Sequence, residues 1–340
     1  MKNHGMNPYL PSWEYVPDGE PHVFGKRVYI YGSHDRFAGY AFCQNDYVCW
    51  SAPVDDLTDW QYEGIIYTRA EAAHNEDGRQ CLYAPDVTCG PDGRYYLYYA
   101  LNETSAISVA VCDTPAGKYT YYGDVHYPDG TTLGARPGDE QQFDPGVLTE
   151  GETTWLYSGF SPPMMPGRTG ALCYRLASDM LTVEQTYPAV VPGAQTAKGT
   201  GFEGHAFFEA SSIRKVGDKY YFIYSSELSH ELCYAVSDSP CRGFVYGGTL
   251  DNADLGLCDT ARYFTGNNHG SIEQINGRWY VFYHRHTNSS MFCRQGMVEP
   301  IEILPDGRIP QVEITTSGPN GAPLPAVELR ELPAYAACNL

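Results

Sequence analysis

The chain has 340 residues, 41 acidic against 22 basic side chains, and a formal net charge of -19. This acidity disfavours nucleic acid and anionic membranes as partners, because both repel a negative protein. No apolar run approaches the roughly 18 residues of a membrane-spanning helix. The 29 Tyr, 35 Gly and 24 Pro are typical of many short strands joined by turns.

The N-terminal stretch, residues 1–15, lacks the apolar central region of a signal peptide. The 11 cysteines are scattered, and none forms a Cys-x-x-Cys pair. Such an odd, scattered set favours reduced thiols over a disulfide framework or a structural zinc site. We therefore expect a cytoplasmic protein. Its oligomeric state cannot be read from the chain.

Five segments share one pattern, in which an ionisable residue is followed by a polar turn and an aromatic strand. They are residues 18–35, 86–100, 144–160, 209–226 and 269–286. Their central aromatic residues lie 59 to 67 positions apart and are Tyr29, Tyr96, Trp155, Tyr221 and Tyr280. A recurring unit of about 60 residues is too long for a helical solenoid repeat, but it suits a four-stranded sheet with generous loops.

Turn sequences within the repeats support this interpretation. Residues 91–93 (PDG), 216–218 (VGD) and 275–277 (ING) are hairpin signals between alternating strands. Five such sheets around an axis predict an all-β fold, a five-bladed β-propeller. The alternative is a β-sandwich whose hairpins resemble one another by chance. We assign residues 1–315 to the propeller and residues 316–340 to a C-terminal tail without a separate domain.

An ionisable residue stands 10 to 12 positions before each central aromatic residue. These residues are Asp18, Asp86, Asp144, Glu209 and His269. Equivalent positions of a propeller lie at similar depths, so the pattern predicts that four carboxylates and an imidazole converge on an axial funnel. Any one of them alone would be read as a turn residue or strand cap. Together, in a tyrosine-rich pocket, they suit carbohydrate binding and the acid and base of glycoside hydrolysis.

These segments resemble glycoside hydrolase family 43. The resemblance covers most of the chain, and its motifs are YVPDGEPH, YAPDV, FDPGV, FFEASSIRK, NNHGS and YHRH. It implies a five-bladed propeller with inverting chemistry. It also implies that Asp18 is the general base, that Asp86 orients groups and adjusts the pKa of the acid, and that Glu209 is the general acid.

Two of these assignments have rivals in the sequence. The family base commonly precedes a proline, whereas Asp18 precedes Gly19, and Glu14 and Glu20 are its neighbours. Glu203 competes with Glu209 for the role of general acid. The spacing from the central aromatic residue favours Asp18 and Glu209.

Further residues acquire expected roles through the resemblance. His269 resembles an axial histidine beneath the sugar that sometimes meets a bound ion or its waters, so a structural calcium ion near the axis is compatible with it. Arg294 resembles a residue that reaches the sugar, with pairing to Asp86 or Glu209 as the alternative. His34 is a weaker substrate-binding candidate, and Asp144 is expected to line the funnel without a chemical step.

The expected function is exo-acting hydrolysis of terminal α-L-arabinofuranosyl or β-D-xylosyl residues from oligosaccharides, without a required cofactor. An enzyme of the same fold acting on galactofuranosyl or galactosyl residues is the alternative. A catalytically silent glycan-binding propeller would not need Asp18, Asp86 and Glu209 in register. A phosphorylase-type transferase would need a cluster of basic residues, and the motif segments contain none.

Overall fold

A computed structural model describes residues 5–252 and 266–321 of the chain. Within these ranges, nineteen β-strands form five antiparallel sheets, and the helices are two single turns of 3-10 helix, Arg69–Glu71 and Gly318–Asn320. No helix in the described part has the length and apolar character needed to cross a membrane.

The strands of each sheet, or blade, follow one another along the chain. Blade 1 contains β1 (Glu20–Phe24), β2 (Arg27–Tyr31), β3 (Tyr47–Pro53) and β4 (Gln61–Tyr67). Blade 2 contains β5 (Leu82–Cys89), β6 (Tyr95–Leu101), β7 (Ile107–Cys112) and β8 (Thr120–Asp124). Blade 3 contains β9 (Gly146–Glu150), β10 (Thr153–Ser158), β11 (Gly170–Leu176) and β12 (Val183–Pro192).

Blade 4 contains β13 (Phe207–Val216), β14 (Lys219–Ser226), β15 (Glu231–Ser237) and β16 (Val245–Asn252). In the described ranges blade 5 has three strands, β17 (Ser271–Ile275), β18 (Arg278–His286) and β19 (Arg294–Ile301). The first strands of the blades contact one another in a closed circle, β1 to β5, β9, β13, β17 and back to β1. This ring confirms the predicted five-bladed β-propeller.

The core lies between the blades, where each neighbouring pair encloses one of the five buried hydrophobic clusters of the described chain. Tyrosines fill much of it, and their hydroxyl groups reach backbone carbonyls. Tyr31 donates to Pro115 at 2.7 Å, and Tyr98 donates to Met180 at 2.7 Å. Because an unpaired buried hydroxyl is costly, these bonds let the bulky rings pack inside. The tyrosine excess is therefore a property of the blade interfaces.

The hairpin between β17 and β18 shows why the turn signals were informative. Ile275 pairs with Arg278, which leaves a two-residue loop of Asn276 and Gly277. Both loop residues have positive φ, 50° and 79°, as a type I′ turn requires. Asn and Gly adopt this conformation at the lowest steric cost, so the local sequence sets the hairpin.

The N-terminal segment closes the ring against blade 5. The amide N–H of Tyr9 donates to the carbonyl of Gly296 at 3.3 Å, and the Val298 N–H donates to Oδ1 of Asn7 at 2.9 Å. The described part of the predicted tail, residues 316–321, packs beside this segment, since Nδ2 of Asn320 donates to the carbonyl of Gly5. The boundary at residue 315 stays a prediction.

Candidate active site

A cavity of about 300 Å³ opens at the axis of the propeller. Blades 1, 3, 4 and 5 supply its acidic and basic residues. The polar, acidic and basic residues of its wall include Asp18, Asp144, Glu209, Asn267, His269 and Arg294. Its aromatic walls are Phe42, Tyr83, Phe143 and Phe160. Aromatic rings beside a few converging polar groups are typical of carbohydrate pockets.

The strand register explains how three of the polar residues meet. Asp18, Asp144 and His269 each stand two positions before the innermost strand of their blade, β1, β9 and β17. Glu209 is the third residue of β13, where irregular pairing with β14 shifts the register. Equivalent positions of the innermost strands lie at similar depth, so these four residues line one end of the axis.

On one side of the cavity, Asp18 is held by Arg294. Nη1 of Arg294 donates to both carboxylate oxygens of Asp18 at 3.0 and 3.2 Å. The backbone N–H of Asp18 donates to Nδ1 of His284 at 3.2 Å, and Nε2 of His284 lies 2.9 Å from the carbonyl of Asn267. Burial alone would raise the pKa of Asp18, but the Arg294 guanidinium outweighs burial and holds it well below its usual range. Asp18 is therefore ionised.

The opposite side of the cavity holds Glu209 and Asp144. Among the described residues, no Lys or Arg forms an ion pair with either carboxyl group. Burial, reinforced by the negative charge of Asp18, raises the pKa of Glu209 to about 7. Burial and the neighbouring Glu209 raise the pKa of Asp144 well above its usual range. This side of the cavity therefore holds protons at neutral pH.

The backbone is strained at the cavity. Asp18 and Asp144 have φ of 55° and 45°, and Ala210, which follows Glu209, has φ of 68°. Residues other than glycine rarely adopt this left-handed region, although Asp tolerates it better than Ala. The N–H of Ala210 donates to Oδ2 of Asp144 at 3.2 Å. This bond links the backbone beside Glu209 to blade 3.

His269 forms the floor of the cavity. Its Nδ1 lies 3.9 Å from Oδ1 of Asp18 and 3.8 Å from Oδ2 of Asp144, beyond direct hydrogen bonding. Its Nε2 and Oε1 of Glu20 are both buried without a partner and lie 3.9 Å apart. Burial lowers the pKa of His269 to about 4, so the ring is neutral at pH 7.

These orphaned atoms test the expected calcium site. Calcium takes six to eight oxygen ligands. The groups of three or more metal-ligating side chains in the described residues do not include His269. His269 and Glu20 therefore offer too few direct oxygen ligands for a calcium site built by protein alone, and an ion here would have to be held mainly through waters.

Asp86 lies one layer deeper than predicted and does not line the cavity. Tyr96 pairs with Thr88, eight positions earlier, whereas Tyr29 pairs with His22, seven positions earlier. The position in blade 2 that matches Asp18 therefore stands 12 residues before Tyr96, whereas Asp86 stands 10 residues before it and matches Glu20 in depth.

Both oxygens of the Asp86 carboxylate are engaged by other groups of the protein. Oδ1 accepts the Val87 N–H at 2.7 Å and lies 2.6 Å from Nε2 of His22. Oδ2 accepts the Val147 N–H at 2.7 Å, which ties blade 2 to blade 3. Asp86 is fully buried. The predicted grouping of Asp86 with Asp18 and Glu209 in one funnel is thus corrected by the register, and Asp144 holds the third cavity position.

Two further predictions can be located. Arg294 lines the cavity, but its carboxylate partners are Asp18 and Asp35 rather than Asp86 or Glu209. His34 does not line the cavity. Its Nε2 lies 2.9 Å from Oε1 of Glu14, and its Nδ1 lies 2.8 Å from the carbonyl of Asp46. These contacts give His34 a structural role in the loop after β2.

The rivals for the acid and base lie elsewhere. Glu203 is exposed, and its Oε2 accepts the N–H of Gly199 at 2.9 Å. Glu14 accepts the indole N–H of Trp50 at 3.0 Å. Glu20 lies in the deeper layer and accepts from Arg214 at 2.9 Å. Of these candidates, Asp18 and Glu209 line the cavity and their rivals do not.

Sequence reasoning missed Asp35 and most of the aromatic wall. Asp35 and Arg294 are 259 positions apart, and no local pattern pairs them. The position of Tyr83 could have been predicted from the repeat. It stands near the start of β5, within one position of the residue that matches Asp18 of blade 1. Phe42, Phe143 and Phe160 lie on loops, where the repeat gives no depth.

A β-propeller with an axial cavity that combines an ionised and a protonated carboxyl group is the arrangement of a glycoside hydrolase. The model of the family "Glycosyl hydrolases family 43" matches residues 14–309. The chain belongs to this family.

Curated relatives and solved structures agree. A xylosidase/arabinosidase of Thermoclostridium stercorarium is 61% identical over 100% of this chain and 73% of its own length. A xylosidase/arabinosidase of Bacteroides ovatus is 30% identical over 90% of this chain and 97% of its own length.

Among solved structures, an α-L-arabinofuranosidase of Clostridium thermocellum is 27% identical, with a TM-score of 0.64, covering 90% of this chain and 96% of its own. A β-xylosidase/α-arabinofuranosidase from a compost microbial metagenome, in a calcium-free form with xylotriose, shares the fold at 24% identity and a TM-score of 0.72, covering 93% of this chain and 98% of its own.

Proposed function

We propose that the protein is an inverting exo-glycosidase that hydrolyses terminal α-L-arabinofuranosyl or β-D-xylosyl residues. The observation that carries this proposal is the pair of carboxyl groups with opposite protonation, Asp18 and Glu209, in one cavity of a family 43 propeller. The two sugars follow the names of the curated relatives at 61% and 30% identity, which are both xylosidase/arabinosidases.

The chemistry follows from the two protonation states. Protonated Glu209 gives its proton to the glycosidic oxygen as the bond from that oxygen to the anomeric carbon breaks. Ionised Asp18 takes a proton from the water whose oxygen forms the new bond to the anomeric carbon. Asp144 fixes the backbone beside Glu209 through its bond to the Ala210 N–H. Attack by water from the face opposite the leaving group inverts the anomeric centre.

A blocked axis supports exo action. Beneath His269 the axis is filled by a buried layer in which Ser212 bonds Oε2 of Glu20 at 3.1 Å and Oγ of Ser271 at 2.7 Å. Arg214 spans this layer to Glu273 at 3.0 Å. With this floor in place the cavity is a pocket of about 300 Å³ entered from one side, which suits the end of a sugar chain.

No cofactor is needed for these steps, because the acid and the base both belong to the chain. A hydrated calcium ion at Nε2 of His269 and Oε1 of Glu20 would neutralise charge beneath the sugar, and its role would be structural. Treatment with a chelator, followed by metal analysis and a melting curve, tests for it. Loss of bound calcium with a lower melting temperature is the expected result for an occupied site.

We propose that the protein works in a reducing compartment such as the cytoplasm. The described cysteines are free thiols, and most of them are buried. Buried thiols without disulfides are typical of proteins from reducing compartments. Thiol counting on protein purified directly from its native cell, without reductant, checks this: full titration of the thiols after denaturation is expected, and disulfides would contradict it.

The experiment for the function is a screen of nitrophenyl α-L-arabinofuranoside, β-D-xyloside, galactofuranoside and galactoside. Hydrolysis of one or both pentosides is expected, and proton NMR of the first-formed sugar should show the inverted anomer. Preference for a galactoside would move the substrate class to the alternative. A retained anomer would contradict the mechanism.

A further inference from the structure

A second carboxylate lies behind the arginine that contacts the proposed base. Asp35 follows β2 and is 1% exposed. Its Oδ2 accepts the backbone N–H and the Nε–H of Arg294 at 3.1 and 2.8 Å, and its Oδ1 accepts Nη2–H at 2.9 Å. A two-point fork of this kind fixes the plane of a guanidinium group.

Asp35 is itself held rigidly. Its Oδ1 also accepts the N–H of Cys43 at 2.9 Å. Its backbone N–H donates to the carbonyl of Tyr15 at 2.9 Å, and its carbonyl accepts from Nδ2 of Asn45 at 2.8 Å. The carboxylate therefore cannot turn without breaking several bonds, and Arg294 inherits this fixed orientation.

The remaining contacts of Arg294 show what the fork achieves. Asp35 occupies Nε and one N–H of Nη2, and Nη2 also lies 3.3 Å from Sγ of Cys43. The guanidinium carbon stands 4.6 Å from the ring centre of Phe42. Nη1 is left to meet Asp18. Without Asp35, the same fork of Arg294 would be free to rotate onto Asp18 and cover the oxygens that must receive a proton from water.

We propose that Asp35 is a positioning residue for the hydrolysis proposed above: it turns the Arg294 fork away from Asp18 and balances the guanidinium charge beside Glu209. The inference rests on the proposed roles of Asp18 and Glu209. It extends them by assigning a role in the reaction to a residue that does not line the cavity.

The charges of Arg294 and Asp35 act on a small set of titratable groups. Glu209 shares the cavity with Asp18, Asp144, His269 and Arg294. Arg294 and Asp35 both act on Cys43 and His286. Asp35 also acts on His34, and Arg294 acts on His269. In this set the negative charge of Asp35 offsets the positive charge of Arg294. Its removal leaves the guanidinium less compensated, and the pKa of Glu209 should then fall.

The test compares Asp35→Asn with wild type in two measurements. In the pH profile of kcat/KM on the preferred nitrophenyl glycoside, the alkaline limb should move down by at least about half a pH unit, and kcat should fall about tenfold. Carbon-13 NMR of labelled Glu carboxyl groups, with Glu209 assigned through Glu209→Gln, should show the same displacement without any substrate.

Two variants serve as controls. Glu273→Gln removes a carboxylate from another buried arginine, Arg214, outside the cavity, and should leave the alkaline limb in place. Asp35→Glu keeps the charge with a longer arm, so kcat should fall while the titration of Glu209 stays put. It also serves if Asp35→Asn does not fold.

An unmoved titration of Glu209 in Asp35→Asn, whether or not kcat falls, would overturn the proposal. If the Asp35→Asn chain does not fold, an undiminished kcat in Asp35→Glu would overturn it instead. Wild-type inactivity on every glycoside would defeat the proposed function, while the NMR titration would still decide the role of Asp35.

Discussion

Asp18 and Glu209 line one cavity, both are largely withdrawn from solvent, and they hold opposite protonation states. The difference lies in the residues that neighbour each carboxyl group. Asp18 faces the Arg294 guanidinium at 3.0 Å, whereas Glu209 faces another acid, Asp144, and the negative charge of Asp18. Burial favours the neutral form of both groups, and a cation reverses that preference on one side.

The comparison teaches that the base and the acid are made by their neighbours rather than by their own residue types. Aspartate and glutamate have nearly the same pKa in water. Arg294, fixed by Asp35, makes one of them permanently ionised. Arg294 acts on Glu209 only from a distance, and no Lys or Arg among the described residues forms an ion pair with it, so its proton stays available near neutral pH.

The largest expected effect comes from removing the ionised side. Asp18→Asn keeps the shape of the side chain but cannot accept a proton from water. We expect kcat to fall by about 10³-fold or more, in the range typical of lost general base catalysis. Steady-state kinetics with a circular dichroism check of folding measures this, and activity within tenfold of wild type would mean that the base lies elsewhere.

Replacing the Arg294 guanidinium with a weaker partner should bring the pKa of Asp18 closer to that of Glu209. Arg294→Lys keeps a positive charge but loses the planar fork, so kcat should fall about 10²-fold through misplacement. The pKa of Asp18 should rise toward its ordinary value, and an acid limb should appear in the kcat/KM profile near pH 4. Arg214→Lys, in the deeper layer, is the matched control and should show no new limb.

Asp144 supports the protonated side. Asp144→Ala removes the bond to the Ala210 N–H, which fixes the backbone beside Glu209. We expect a loss of kcat of roughly 10- to 100-fold, with KM changed less, because a displaced acid harms the transition state more than binding. An effect confined to KM would instead make Asp144 a sugar-binding residue.

The pH dependence of wild-type kcat/KM reports the pKa of Glu209 directly. Glu209 must hold its proton, so kcat/KM should fall about tenfold per pH unit once the pH exceeds about 7. The same raised pKa favours the folded state at low pH, and this contribution to stability should be lost as the pH rises through about 7. Constant kcat/KM to pH 9 would contradict a raised pKa for the acid.

The smallest kinetic effect is expected at Asp86. Asp86→Asn disturbs its bonds to His22, Val87 and Val147, and should lower the free energy of unfolding by about 1 to 3 kcal/mol. Activity should stay within about threefold of wild type, because the residue does not line the cavity. Thermal melts with kinetics check this, and a 10²-fold loss of kcat in a folded variant would return Asp86 to the reaction.

The fold was readable because its information is local and repeated. Tyr29, Tyr96 and Tyr280 each lie on the second strand of their blade, and turns such as Asn276–Gly277 set hairpins without distant contacts. Each blade repeats this information, so the ring of five sheets follows. Asp18, Asp144, Glu209 and His269 were placed correctly in the cavity for the same reason.

The depth of Asp86 and the partners of Arg294 were not readable. Asp86 stands one position nearer to its aromatic residue than Asp18 does, and strand pairing in blade 2 is shifted by one further position. The two positions together move the side chain by one layer, and spacing from an aromatic residue does not reveal the pairing shift. The Arg294–Asp35 fork joins blades 5 and 1, which meet when the ring closes. Such pairings depend on the assembled ring and leave no periodic trace in the chain.

The dependence on the leaving group in Glu209→Ala tests the acid and base assignment most directly. A disaccharide of the preferred sugar needs a proton on its leaving oxygen, whereas a dinitrophenyl glycoside departs without one. We predict that Glu209→Ala loses about 10³-fold in kcat/KM on the disaccharide and less than about tenfold on the dinitrophenyl glycoside. Asp18→Asn should lose both activities. Equal losses on the two substrates in Glu209→Ala would contradict the assignment of Glu209 as the general acid.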